Sequence, residues 1–461
     1  MELDDFPKAK ESPALTVSPT VALLDPFALF PYPEDAWARV EERKCFTGNE
    51  LSIGVDWVDV NADNSAIHRK FTSLDQINEY ISEPDRNQPD LRVISLNQRF
   101  SWGFLNVTQN ILSSIIDAIN ASPELLEVIS CFYKKNSPIE EAFSNAPFIK
   151  HNKDSIEIMY IFKYVAYKHG QTQNKPWSIR QTGVYQRYDL INKRSVWIFI
   201  HPGTESPFQS RLNQLLTSLE GCSQIQSHPL LLHNLLFTTY SPRWRDFMSY
   251  QENKIWSLAA EVRGNGIETS RVNYQTLSSA YPIENDCLAL RPIFHSLGKI
   301  LEAVHKTTNS LYEENVLTEQ EYGNIVQVLD NHSKVLDAYV QNNLYLQHMV
   351  ERTAQLITDT ISLKNSEYTM DLTLSTVNDS TTVRTITIVT LIYLPSTFTA
   401  TVLGMNSFFE MSPNNDYLVV SHQFWIFVAC AVPLTVITVL YWLIRKRVRD
   451  RRRVIKMESR V

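Results

Sequence analysis

Several things are missing from this chain of 461 residues, and each absence removes a class of function. No P-loop, HExxH, GxSxG or dinucleotide-binding glycine fingerprint occurs. ATP-driven pumping and chemistry through those sites therefore have no support, and we expect no enzyme. Cysteine is sparse: Cys45, Cys131, Cys222, Cys287 and Cys430 lie far apart with no CxxC pair. That pattern fits reduced thiols in a cytosolic domain better than a disulfide framework. We read Cys430 as a small packing residue. The N-terminus MELDDFPKAKESPALTV lacks a basic leader region and makes a poor signal peptide. Finally, no Lys or Arg occurs between Arg384 and Arg445.

That last gap contains two uncharged stretches. Thr385–Leu403 reads TITIVTLIYLPSTFTATVL and Phe424–Ile444 reads FWIFVACAVPLTVITVLYWLI. Each is about 20 residues, the length of helix needed to cross a hydrocarbon core of roughly 30 Å. The chain is therefore expected to end in a transmembrane hairpin (383–444), with the lipid bilayer as its medium. The loop between the spans carries Glu410 and Asp416 and no positive charge. Arg384 and the basic tail (445–461) flank the other side, so both termini should be cytoplasmic. The plasma membrane is the expected location, with an organelle membrane left open.

The tail holds nine Lys/Arg against Asp450 and Glu458, so the rest of the chain carries −14 of an overall −7. An acidic body attracts cations and repels nucleic acid, although net negative charge also simply keeps a large domain soluble. The tail itself fits a topology anchor or a lipid-binding segment.

Upstream of the spans the signals divide. Residues 1–50 are proline-rich and aperiodic, and read as extended or partly disordered. Residues 51–285 read as an α/β domain of unknown strand order. Leu91–Leu96, Ile156–Tyr167, Ile179–Tyr188 and Val196–Ile200 are strand-like, and Thr108 is placed to cap a helix running to Asn120. Phe208–Leu219 and Leu230–Val262 look helical. The stalk (286–382) has no proline after Pro292, and none follows until Pro395. Its 3-4 seam runs Ile325, Leu329, Leu336, Tyr339, Leu346, Val350, Ile357 and Ile361, as in long packed helices. His332 and Asn343 fall on that seam, where satisfied core polar groups are expected rather than metal ligands. A helix continuous from Thr318 to Leu403 would be roughly 130 Å long and would project from the bilayer.

The first span has an unusual face. Thr387, Thr390, Leu394, Thr397 and Thr401 recur at intervals of 3 and 4 residues and share one side. Such a stripe suits a helix interface or a water-filled path. Two spans cannot enclose a pore, so conduction would need several copies. At the outer end stand Gly404, Met405 and Asn406. Glycine permits a turn and close backbone approach. Asparagine offers a neutral oxygen to an ion's water shell. Mg²⁺ dehydrates reluctantly, so a ring of such oxygens suits it. Glu410 and Asp416 would concentrate cations at the mouth.

The run Leu394–Asn406 fits the pattern P-x-T-F-x-A-x-x-x-G-M-N. It resembles the end of the first transmembrane helix in CorA-type divalent metal ion transporters. An acidic loop, a second span and a basic tail follow, as in that family. The specific resemblance covers about Val383–Trp442. It implies a cytosolic α/β funnel, long membrane-projecting helices and a homopentamer carrying Mg²⁺ or a related divalent cation as the transported ion, with no covalent cofactor. By the same resemblance Gly404, Met405 and Asn406 form the selectivity filter. Thr401, Thr397, Leu394, Thr390, Ile386 and Val383 then line the pore, with Leu394 and Val383 at gating positions.

Two departures accompany the resemblance. Leu403 replaces an aromatic residue before the glycine. Thr369 stands where an acidic regulatory residue is expected, which leaves Glu367 and Asp371 as candidate regulatory metal ligands. The competing reading is a non-conducting membrane receptor or scaffold with a vestigial transport hairpin. An intact GMN and a retained threonine stripe favour transport.

Overall fold

The computed structural model describes residues 33–48, 52–83, 89–168, 176–263, 272–404, 409–411, 418–420, 422 and 424–458. The chain divides into two compact units, one up to Thr358 and one from Asp359 onward.

The first unit opens with helix α1 (Pro33–Glu42). Proline density predicts an extended chain there, yet Ala36 and Val40, four residues apart, are buried in the core. Their common face stabilises the helix by burial, which outweighs local composition. Strands β1 (Val55–Val60) and β2 (Ala66–Phe71), helix α2 (Leu74–Ser82) and strand β3 (Leu91–Asn97) follow. Helix α3 (Gln109–Ile119) starts as expected at Thr108, whose hydroxyl accepts from the Ile111 N–H. It ends at Asn120 in the left-handed conformation that asparagine tolerates. After α4 (Leu125–Ser130) and the short β4 (Phe148–His151) come β5 (Ser155–Tyr167), β6 (Trp177–Asp189) and β7 (Arg194–His201).

The seven strands form one sheet in the order β2-β1-β3-β7-β6-β5-β4. Neighbours are antiparallel except β3 and β7, which run parallel from Leu91↔Ser195 to Asn97↔His201. Alternation assigns side chains to two cores. On β7, Trp197 and Phe199 enter one core while Ile198 and Ile200 enter the other. The second core is covered by α1, α2, α3 and α4.

The first core is covered by the helices after the sheet: α5 (Pro207–Leu216), α6 (Leu219–Ser227), α7 (Leu231–Tyr240), α8 (Arg243–Arg263) and, beyond the short α9 (Tyr274–Ser278), α10 (Tyr281–Glu313). Thus β3 leads to α3 on one face, and its parallel neighbour β7 leads to α5 on the other.

Helix α11 (Glu319–Leu403) is uninterrupted over 85 residues. A capping box begins it: Thr318 Oγ1 accepts from the Glu321 N–H, and Glu321 Oε2 accepts from the Thr318 N–H. The expected seam packs on the first core through Leu329, Leu346 and Val350, with Ile325, Leu336 and Tyr339 beside them. His332 is satisfied by Asn234 Oδ1 at 2.8 Å. Asn343 departs from expectation, since its buried Oδ1 has no partner among the described residues. The second unit continues α11 and adds a two-stranded hairpin, β8 (Phe409–Met411) and β9 (Leu418–Val420), before α12 (Phe424–Glu458).

Candidate functional site

Two helical segments of the second unit are long and apolar enough to cross a membrane: Thr382–Val402 and Phe424–Arg445. Within the first, burial falls on one side. Pro395 and Thr399 are buried, and Leu391, Ser396 and Ala400 are partly covered. On α12 the covered positions include Phe424, Phe427, Ala431, Thr435, Thr438 and Trp442, again 3 and 4 apart, with Ile426 and Val439 beside them. Near the basic end of the hairpin the Arg384 guanidinium lies over the Trp442 ring, 6.0 Å from its centroid. The sequence signal for this seam is the helical spacing of these residues in the second span. Cys430 falls off the seam and is exposed, which corrects its reading as a packing residue.

The residues assigned to the pore all lie away from the covered side. Val383, Ile386 and Leu394 are each at least 60% exposed, and Thr390, Thr397 and Thr401 are exposed as well. At about 3.6 residues per turn these six positions fall within one quarter of the helix, roughly opposite Pro395 and Thr399. The hairpin therefore leaves its threonine face uncovered.

Each hydroxyl on that face is turned the same way. Thr387 donates to the Val383 carbonyl at 2.8 Å, Thr390 to Ile386 at 2.6 Å, Thr397 to Tyr393 at 2.9 Å and Thr401 to Thr397 at 2.8 Å. The protons are spent inside the helix. What remains outward is a column of oxygen lone pairs, acceptors without donors, which suits a cation or the hydrogens of its water shell.

Gly404 ends α11 with φ of +63°, the left-handed conformation typical after a helix C-terminus. A Cβ there would meet nothing within 4 Å, so the turn requires glycine and close approach within the chain does not. Met405, Asn406 and Asp416 lie outside the described residues. Glu410 sits in β8, paired with Val419 of β9, an element that the loop composition did not announce. Glu367, Thr369 and Asp371 are exposed on α11, and among the described residues no group of three or more His, Cys, Asp or Glu is placed to hold a metal ion.

The described residues thus comprise an α/β domain, long helices and two apolar helices long enough to cross a membrane. The family model described as CorA-like transporters matches residues 37–262, and that described as CorA-like Mg²⁺ transporter protein matches residues 288–447. The chain belongs to this family of divalent cation transporters. Among curated proteins none matches. Of solved structures, one described as the full-length CmaX protein is 12% identical, with 85% of this chain and 97% of that chain covered and a TM-score of 0.39. The ZntB cytoplasmic domain from Vibrio parahaemolyticus is 9% identical, with 66% and 98% covered and a TM-score of 0.32.

Proposed function

We propose that this chain conducts Mg²⁺ through a homopentameric channel in the plasma membrane, with both termini in the cytoplasm and no chemical catalysis. Gly404, Met405 and Asn406 form the outer filter, and Val383, Ile386, Thr390, Leu394, Thr397 and Thr401 face the path. The observation that carries this reading is the uncovered stripe of threonine oxygens opposite the hairpin's own packing seam. A lone chain exposes that stripe, and copies arranged around an axis would turn it into a wall.

Neutral oxygens fit a strongly hydrated ion. Mg²⁺ keeps several waters in most protein sites, and threonine and asparagine oxygens accept hydrogen bonds from those waters without removing them. Binding is then favourable enough for entry and weak enough for release. Glu410 and Asp416 raise the cation concentration at the mouth, and Glu367 and Asp371 bind the ion on the cytosolic side to regulate closure.

The test is flux into liposomes for Mg²⁺, Zn²⁺ and Ni²⁺, comparing the intact chain with Asn406→Ala. Mg²⁺ flux through the intact chain and its loss in the variant are expected. Unchanged flux in the variant would remove the filter assignment. No flux from well-folded protein would favour a scaffold that keeps the hairpin without conduction.

A further inference from the structure

The ends of β3 and β7 define a second place of interest, far in sequence from the hairpin and wholly within the first unit. These adjacent parallel strands send their following helices to opposite faces of the sheet. Open α/β sheets bind ligands in the crevice outside the carboxyl ends of strands at such a switch point. Here that crevice is a cleft of about 530 Å³. Phe100 and Trp102 after β3 line it, as do Pro202, Glu205 and Pro207 after β7, Tyr164 on β5 with Lys168 just beyond it, and Ser178 and Arg180 on β6. Its volume falls in the range of small-molecule sites.

Adjoining it is a water-sized space of about 20 Å³, sharing Ser101, Trp102, Glu141, Arg180 and Pro202 with the cleft. Lys135 and Lys163 line this space. The charges do not balance. Glu140 is taken by a bidentate pair with Arg43, at 2.8 and 2.6 Å. That leaves Glu141 and Glu205 against Lys135, Lys163, Lys168 and Arg180. Arg180 makes no hydrogen bond or ion pair among the described residues. Lys163 is buried, and its Nζ donates to the Glu140 and Glu141 carbonyls, both at 2.8 Å, with no carboxylate hydrogen-bonded to it among the described residues.

Holding that pocket has a cost, which points to a use. Burial, assisted by Lys135, pushes the Lys163 ammonium down to about 8. Glu140 adopts a left-handed backbone with φ of +58°, a strained conformation for a glutamate. Ser178 Oγ is buried without a partner. Phe100, at the mouth, is 57% exposed. A dianion seated by Arg180 and the two lysines would balance the excess charge, and a planar body would cover the aromatic wall.

The geometry points to a binding site for a phosphate monoester carried on an aromatic or other planar body, in the cleft at the carboxyl ends of β3 and β7. The Arg180 guanidinium offers a fork to the phosphate oxygens, and Lys135 and Lys163 line the adjoining space. The site is independent of the ion path, so its failure would leave the channel reading untouched.

The probes are phenyl phosphate, inorganic phosphate, benzoate and benzyl alcohol, titrated calorimetrically into the detergent-solubilised full chain. Phenyl phosphate should bind at least tenfold tighter than benzoate, and benzyl alcohol should not register. Arg180→Gln should weaken phenyl phosphate at least tenfold while leaving the unliganded melting temperature nearly unchanged, since the guanidinium makes no hydrogen bond or ion pair among the described residues. Lys163→Met should weaken binding as well. Absence of phenyl phosphate binding at millimolar concentration, or binding indifferent to Arg180→Gln, would overturn the site. Equal binding of benzoate would overturn its assignment to a dianion, and equal binding of inorganic phosphate would overturn the planar body.

Discussion

Thr401 donates its hydroxyl proton to the carbonyl oxygen of Thr397, 2.8 Å away, and Thr397 donates in turn to that of Tyr393 at 2.9 Å. The pair thus presents two oxygens outward with no proton to offer. Valine keeps the branch and nearly the volume of threonine while deleting that oxygen. Mg²⁺ flux in liposomes should fall about tenfold in a Thr397→Val/Thr401→Val variant, a loss of about 1.4 kcal/mol in the path. Membrane insertion and the elution position on size exclusion should not change. Flux equal to that of the parent would take these hydroxyls out of the ion path.

Gly404 makes a narrower demand. Its φ of +63° excludes most side chains, while the space around it would admit one. A left-handed L-residue costs roughly 1–2 kcal/mol, and asparagine tolerates the conformation better than a β-branched residue. Gly404→Asn should therefore retain much more flux than Gly404→Val at matched expression. Equal behaviour of the two variants would show that backbone conformation is not what the position requires.

Asp59 gathers four donors in the sheet. Trp57 Nε1 reaches it at 2.8 Å, Tyr80 Oη at 3.1 Å, and Arg92 through Nε and Nη2 at 2.9 Å each. Both Asp59 and Arg92 are buried. Removing one partner strands a charge, which costs about 3–5 kcal/mol, whereas removing both does not. Arg92→Met should lower the thermal midpoint followed by tryptophan fluorescence, and the added change Asp59→Leu should recover part of the loss. A double variant less stable than Arg92→Met would contradict the account.

Two histidines should make the first unit sensitive to acid. His201 and His233 are fully buried, and desolvation pushes each down to about 3. His233 stays neutral by accepting at Nδ1 from Tyr160 Oη, 2.7 Å away, and donating from Nε2 to Gln186 Oε1 at 2.8 Å. The unfolded chain protonates both near pH 6.5, while the folded one does so only near pH 3. The unfolded state therefore binds more protons across that window, and stability falls as pH drops through it. At pH 5 the loss is about 2 kcal/mol for each histidine. Thermal midpoints measured from pH 7.5 to 4.5 should decline below pH 6.5, and less steeply in His233→Gln. A midpoint independent of pH over that range would refute the assignment.

Some of this architecture was legible because it repeats locally. The strand at Leu91–Asn97, the Thr108 cap and the seam from Ile325 to Ile357 each follow from neighbours within a few residues. Helix α1 was not legible. Its two buried positions, Ala36 and Val40, gain their meaning from a core assembled by residues far along the chain. Strands β8 and β9, of three residues each, are too short to show a period. Arg180 and Lys163 carried no signal either, because isolated cations in a strand resemble any solvated edge.

Composition and spacing alone determined that two helices near the C-terminus are long and apolar enough to cross a membrane, that one face of the first carries hydroxyls, and that Gly404, Met405 and Asn406 follow it in sequence. These properties belong to a single helix, whose periodicity any reader of the chain can compute. Tertiary structure decided which side of that helix the hairpin covers. It also decided that β3 and β7 lie side by side and parallel, and that Lys135, Lys163, Lys168 and Arg180 line adjoining spaces with Glu141 and Glu205. Such facts depend on contacts between residues distant in sequence, which burial and strand pairing select and local order does not encode.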